Sequence, residues 1–390
     1  MPSSPEESRT ARRSALKLLG VSAAGATAGA FAVAAPAAAT TANGYAEVDS
    51  FAGTTDDEKL AAAMAYAAAQ TYAPTLVFGA RAYTFAADYA FFPGMRWSGP
   101  LGGSETEFGE SCLVKVTGAY LLRATAVRDV AIRGICFQGT GANDFQQQVT
   151  DFAAGPLTQD ARYREIGFKS FRSVMHARHL RCSIERMYCN NGTGTQFKIG
   201  GSDSYYFLEG NSYLSSPSLP ANAYYWHFTH MSESRFGELY ITTETATGMR
   251  IDGSYGDLQL LGTKFDCTGR TGTDNCQGAQ IIIAGGQGVH LDRCWFYGGM
   301  TNPAATGRTG VDNGLISITG GTEHLVTAPK FGFGPYGAPA GTKLVHASVA
   351  VEIAHPQAIS FGGAAVTKAG AFQGGSAHLT AAAPGWTVVA

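Results

Sequence analysis

Beyond about residue 110 the apolar positions of this chain fall in short runs that alternate with polar ones, the period-2 mark of strands with one buried face. A unit recurs. Its first half is a strand closing on glycine, at 196–201, 248–253, 280–286 and 315–321. Its second half runs to an aromatic, at 130–137, 183–188, 206–213, 258–265, 289–296 and 324–331. From Tyr188 on, the aromatic ends stand about 25 to 50 residues apart, and Trp226 to His230 with Leu239 to Ile241 fill the widest gap. Two or three strands per unit, repeated every 20 to 35 residues or so, signify a solenoid whose coils bury a common interior by stacking. A propeller wants four strands per blade, and a sandwich gives no reason for glycine-ended rungs. The pattern therefore predicts an all-β chain: a right-handed parallel β-helix over 111–390. An insert near 139–176, rich in Gln, Asp and Arg, interrupts it and is placed to cover a groove or meet a neighbouring subunit.

Upstream the period changes. Thr55-Asp56-Asp57-Glu58 before an alanine-rich run reads as a capped helix with an acidic first turn. Strands follow at 75–79 and 81–85, then a Pro93-Gly94 turn. Residues 41–110 form an N-terminal cap with that helix. The order Val48-Asp49-Ser50-Phe51, Asp56-Asp57-Glu58, helix and Tyr83 strand resembles the opening of the pectin-lyase-like superfamily. Ala52-Gly53-Thr54-Thr55 stands where that family usually has Gly-Asp-Gly, and Phe78-Gly79-Ala80-Arg81 where it has Pro-Ala-Gly. The resemblance implies a helix that covers the first coil's edge, a polysaccharide or oligosaccharide as partner, and a homotrimer. Its functional part is analogy at the level of the fold.

The first forty residues have another character. A polar head leads to Arg12-Arg13-Ser14-Ala15-Leu16-Lys17, then an Ala/Gly/Val-rich run and Ala-Pro-Ala-Ala-Ala-Thr. That order is a signal peptide's, and the arginine pair resembles the twin-arginine export motif. A membrane anchor is the competing reading, but Ala and Gly partition weakly into hydrocarbon. The expectation is cleavage near 37–41 and a secreted, extracellular protein with no membrane association afterwards. Removing four basic and two acidic side chains from a chain of net charge −2 leaves −4, which gives no attraction to nucleic acid. All seven cysteines follow the signal. Cys182/Cys189 and Cys267/Cys276 each bracket a short segment and read either as disulfides or as buried thiols. No cofactor motif is present, and calcium is admitted only without a motif to hold it.

No Gly-x-Ser-x-Gly, phosphate-binding glycine loop or His-Glu-x-x-His occurs, nor the signatures of the commonest pectinases. The candidate chemistry comes from stacking, which aligns alternate outward residues of successive coils. With Phe197, Phe228, Met249 and Ile281 in one inward column, Lys198, Thr229, Arg250 and Ile282 form the outward one, with His227 and Asp252 beside it. A uronate lyase needs a cation to neutralise the carboxylate and a base for the C5 proton; Arg250 or Lys198 with His227 suits it. A hydrolase needs two carboxylates at a set separation, which Asp252 with Glu233 or Asp266 would supply. Tyr224, Tyr225 and Trp226, and Tyr205 and Tyr206, are candidates for stacking sugars, and Arg270 for binding them. Asp274, Arg308 and Asp312 lie on neighbouring loops. The function expected is a carbohydrate-active enzyme (a lyase, glycoside hydrolase or intramolecular glycosyl transferase). The alternative is a glycan-binding or cell-surface structural β-helix without catalysis.

Overall fold

Each repeat in the alternation becomes one turn of a three-sided coil. The computed structural model describes residues 44–100, 103–104, 107–108, 111–201, 212–216, 223–243, 247–267, 279–298, 314–333, 343–347, 349, 351–354, 357–360, 372–373 and 377–379. The twin-arginine segment lies outside them. From residue 226 on, the chain visits three sheets in fixed rotation. Lys264–Cys267 lies in a fifteen-stranded sheet, Ile281–Ile283 in a ten-stranded one and Gln287–Asp292 in a six-stranded one; Trp295–Gly298 then returns beside Lys264–Cys267. Among the described strands every pairing between coils is parallel, and the one antiparallel pair joins Gly103–Ser104 to Glu107–Phe108. This is the right-handed parallel β-helix that the sequence predicts.

Parallel in-register stacking puts like over like in the interior. Met249, Ile281, Ile316 and Val345 form one inward column, and Ile251, Ile283, Ile318 and Ala347 another. The aromatic ends of the repeats make a third: Phe265 and Phe296 stack at 5.0 Å and 5°, Phe296 and Phe331 at 5.7 Å and 24°. Full burial of such side chains contributes about 1.5–3 kcal/mol each. The glycine ends have a steric cause. At Gly286 (φ +93°) a Cβ would stand 2.2 Å from Ser254 N, and at Gly321 (φ +90°) 2.2 Å from Gly286 O, so only glycine lets neighbouring coils turn this corner together.

The N-terminal helix is capped as its sequence implies, while strands Tyr45–Glu47, Thr75–Val77 and Arg96–Ser98 already belong to the fifteen-stranded sheet. Helix α1 (Asp56–Ala69) opens with a reciprocal Thr55/Glu58 capping box and buries Leu60, Ala63, Met64 and Ala67. Its acidic first turn also reaches outward: Asp56 accepts from Thr84 N–H at 2.8 Å, and Asp57 from Ala86 and Ala87 N–H at 2.9 and 3.1 Å. Backbone donors of the strand beside it are thereby satisfied by the helix. Among the described residues no helix is long and apolar enough to cross a membrane.

One expectation changes, and one pair of alternatives is decided. The segment 139–176 is not one loop; it carries strands Asp144–Gln146, Leu157–Gln159 and Arg162–Lys169, with only a strap at 147–156 between the first two. Its Gln, Asp and Arg residues hid those short strands. Cys182 and Cys189 do not form a disulfide; they flank the strand Ser183–Asn190, one just before it and one near its end. Even with the bend at Arg186 (φ +52°), the strand between them holds the two thiols apart. Both are buried thiols, as are Cys112, Cys136 and Cys294. Cys276 lies outside the described residues.

Candidate functional site

One face of the ten-stranded sheet carries the chemistry. Five of its strands are labelled here in chain order: β1 (Met175–Leu180), β2 (Phe197–Gly200), β3 (Trp226–His230), β4 (Met249–Ile251) and β5 (Ile281–Ile283). Register places His176, Lys198, His227, Arg250 and Ile282 in one outward column across them. Neighbouring members are one rung apart, about 4.8 Å. The sequence places Lys198 and Arg250 there, but it sets β3 two residues out of step: His227, not Thr229, is the outward member. Trp226, not Phe228, fills the inward column beside Phe197, the two rings stacked at 4.3 Å and 16°. Both residues are apolar and share one parity of the strand, so alternation alone could not choose between them.

At the centre of the column His227 Nε2 lies 2.6 Å from Asp252 Oδ2, and Arg250 Nε donates to Asp252 Oδ1 at 2.6 Å. Asp252 follows β4 directly, and its own N–H bonds Phe228 O at 2.8 Å, which ties it to β3. Partial burial works against its charge, but the hydrogen bonds from His227 and Arg250 prevail and hold the carboxyl below the usual range. Burial likewise opposes the Arg250 cation, and its bond to Asp252 more than offsets that. An ionised carboxylate only accepts, so His227 Nε2 carries a hydrogen toward it, and in the tautomer this selects the ring's lone pair is on Nδ1. Tyr224 completes the cluster, its ring 5.4 Å from that of His227 and 5.8 Å from Arg250 Cζ.

Lys198, one rung from His227, holds its ammonium 5.2 Å from the centre of the Phe152 ring, which the strap lays over this face. His176 is the next residue in the column. Burial pushes its imidazole below the ordinary value, although Nε2–H donates to Thr195 O at 2.9 Å. The strap and His176 escaped the sequence analysis; the alternation of Met175-His176-Ala177-Arg178-His179-Leu180 is the signal that would have found β1.

Other expected residues fall elsewhere. Tyr225 and Trp226 are both fully buried, so neither offers a ring to a sugar. Glu233 lies past a corner, on the turn after β3, where its N–H bonds Gly256 O. Asp266 belongs to the fifteen-stranded sheet, paired with Thr242 and Tyr297, on another side of the coil from Asp252. Both Asp252 oxygens are taken, and among the described residues no second carboxylate is paired with it. Arg270, Tyr205, Tyr206, Asp274, Arg308 and Asp312 lie outside the described residues. Among the described residues no three His, Cys, Asp or Glu side chains converge as a metal site would require.

No known family profile matches the chain, and no curated protein does. A solved structure, the A-module of the mannuronan C-5 epimerase AlgE4 of Azotobacter vinelandii, superposes with a TM-score of 0.39 at 11% identity, over 89% of this chain and 100% of that one.

Proposed function

We propose that this protein is an exported enzyme that acts on an acidic polysaccharide by removing the proton at C5 of a uronate unit, with β-elimination as the outcome. The observation that carries the reading is His227 held by Asp252 at 2.6 Å, with cations on both adjacent rungs, Lys198 and Arg250. In such a step His227 Nδ1 takes the C5 proton while Lys198 neutralises the sugar's carboxylate, which makes that proton acidic enough to leave. The C4–O bond breaks, C4=C5 forms, and the departing oxygen takes a proton from water; no oxidant or reductant is involved. Asp252 acts through His227, fixing its tautomer and stabilising the imidazolium, and Arg250 holds Asp252 in place. Export by the twin-arginine route belongs to the same proposal, since it would place the site where such polymers are.

The test is incubation of the protein, with and without His227→Ala, with acidic and neutral polysaccharides. Unsaturated product is read by ultraviolet absorbance, new reducing ends by titration, and rearranged products by chromatography. Unsaturated product from an acidic polymer, absent with His227→Ala, supports the reading. Failure to change any acidic polymer overturns it, as does hydrolysis of a neutral one that His227→Ala leaves intact. Binding without turnover would identify a glycan-binding β-helix instead.

A further inference from the structure

Beside the His227 cluster the same face opens into a groove of about 480 Å³, lined by Phe152, Ala153, Arg178, Gly201, Thr229 and His230. That volume is in the range of sites for small ligands. The groove follows from a register shift. β3 gains a residue relative to β2 between the Ile199–Phe228 and Gly200–His230 pairs, so Thr229 bulges and His230 is turned toward the corner. Arg178 shares this level, since it pairs with Gly200, and both lie two residues along their strands from the His176–Lys198 pair, about 7 Å.

The wall is built, not incidental. Within the strap Asp151 accepts from Ala153 and Ala154 N–H at 2.8 and 2.9 Å, so its carboxylate is occupied by its own turn. Val149 N–H bonds His176 O at 2.8 Å, and Arg178 Nη1 donates to Gly155 O at 2.7 Å. Phe152 fills the space left by the missing side chain of Gly200. At the rim Tyr255 is 63% exposed, its ring 4.4 Å from that of His230; the other two large exposed apolar residues among those described, Tyr45 and Tyr72, belong to the N-terminal cap. Arg178 brings charge to this wall. Its Nε is buried and meets no acceptor, although the guanidinium carries charge and lines the groove. That Nε is closed off from the groove; what the groove receives is the charge of the guanidinium, held at its wall through Nη1 and Gly155 O and met by no carboxylate among the described residues there, and an anion bound in the groove would balance it.

We propose that this groove is a subsite for a second acidic sugar unit, whose carboxylate pairs with Arg178 while its ring lies against Tyr255. That its neighbour is the reacting unit rests on the function proposed above; the subsite itself does not. The geometry assigns to Arg178 and Tyr255 the discrimination of acidic from neutral chains, and to the strap the holding of the polymer across the coils.

Binding calorimetry tests this, with oligogalacturonate and oligomannuronate against their carboxyl-reduced counterparts, on the wild type and on Arg178→Met, Arg178→Lys and Tyr255→Ala. Arg178→Met is expected to weaken acidic oligomers about tenfold or more while reduced oligomers bind as before. Arg178→Lys should restore part of the loss, and Tyr255→Ala should weaken both ligand types. If Arg178→Met releases the strap, reduced oligomers will weaken equally, and that result overturns the role of its charge. Equal affinity of wild type and Arg178→Met for acidic oligomers, or no binding of either acidic oligomer by the wild type, also overturns the proposal. Arg178-dependent binding without turnover leaves the subsite standing and removes the lyase; His227-dependent turnover with a KM indifferent to Arg178 does the reverse.

Discussion

His227 and Asp252 stand 25 positions apart in the sequence and 2.6 Å apart in space, joined because parallel stacking puts the end of one coil's strand against the next. The carboxylate has no lone reactive oxygen: one is bonded by His227 and the other by Arg250. Its part is therefore to orient. Asp252→Asn keeps the size and the link to Phe228 O but can no longer dictate which imidazole nitrogen carries the hydrogen. We expect kcat on an acidic polymer to fall about a hundredfold or more, with the oligomer's affinity and the unfolding temperature nearly unchanged. Undiminished turnover in Asp252→Asn would remove the dyad from the mechanism.

Gly200→Ala probes the strap. A Cβ at this position would lie 2.6 Å from Thr229 Oγ1 and 2.9 Å from Phe152 Cδ1, so the bulge or the Phe152 ring has to move. A methyl group forced into such packing costs about 1–3 kcal/mol. The expected result is a lower urea midpoint with a raised KM, because the displaced ring belongs to the groove wall, while kcat stays near wild type. Unchanged stability and KM together would show that Phe152 does not rest on Gly200 in solution.

The fold was legible because stacking repeats the same demands in every coil. The glycine-ended and aromatic-ended halves mark the corner at Gly286 and Gly321 and the column of Phe265, Phe296 and Phe331. Capping at Thr55 was legible too, since it is local. What escaped was long-range register. A period of two states which residues of β3 share a face but not which meets Lys198, and a bulge of one residue leaves no mark in the alternation. The same limit made Tyr225 and Trp226 look like sugar platforms, while the exposed ring proved to be Tyr255. Phe152 reaches Gly200 across 48 positions, a contact to which neither segment testifies alone.

The N-terminal cap hangs on a buried hydroxyl. Tyr83 OH accepts from Gly79 N–H at 2.7 Å and donates to Asp49 at 2.8 Å, and Asp49 is also bound by Arg81, which bridges to Asp56 on α1. Burial pushes the Tyr83 phenol well above its ordinary value, so it stays neutral and can serve both bonds. Tyr83→Phe preserves the packing of the ring but leaves Gly79 N–H without an acceptor. A loss of about 1–3 kcal/mol is expected by urea denaturation. Hydrogen exchange should quicken first at Thr84 and Ala86, whose N–H groups the helix secures. A variant as stable as wild type would mean that the Arg81 bridge alone holds the cap.

The last test concerns a histidine inside the coil. His179 is the third inward residue of β1, fully buried, its ring 6.4 Å from that of Tyr163. Burial penalises the imidazolium and pushes its pKa from 6.5 down to about 3. Between those values the unfolded chain binds a proton that the folded chain refuses, so stability rises with pH across the window and is lost as the solution is acidified from 6.5 toward 3. Each unit inside the window is worth about 1.4 kcal/mol. The paired carboxylates Asp49 and Asp252 enter only below their ordinary value of 3.8, because both are held lower in the folded state, which leaves the range above pH 5 to histidine. His176 and His324 are shifted the same way by burial and add to the slope without sharing the site. His179→Leu should therefore lose about 1.6 kcal/mol less than wild type between pH 6.5 and 5, since the unfolded imidazole is already half protonated at 6.5, read from urea midpoints at the two values. Parallel losses in the two proteins would show that His179 takes up its proton without unfolding, through an opening that lets water reach β1.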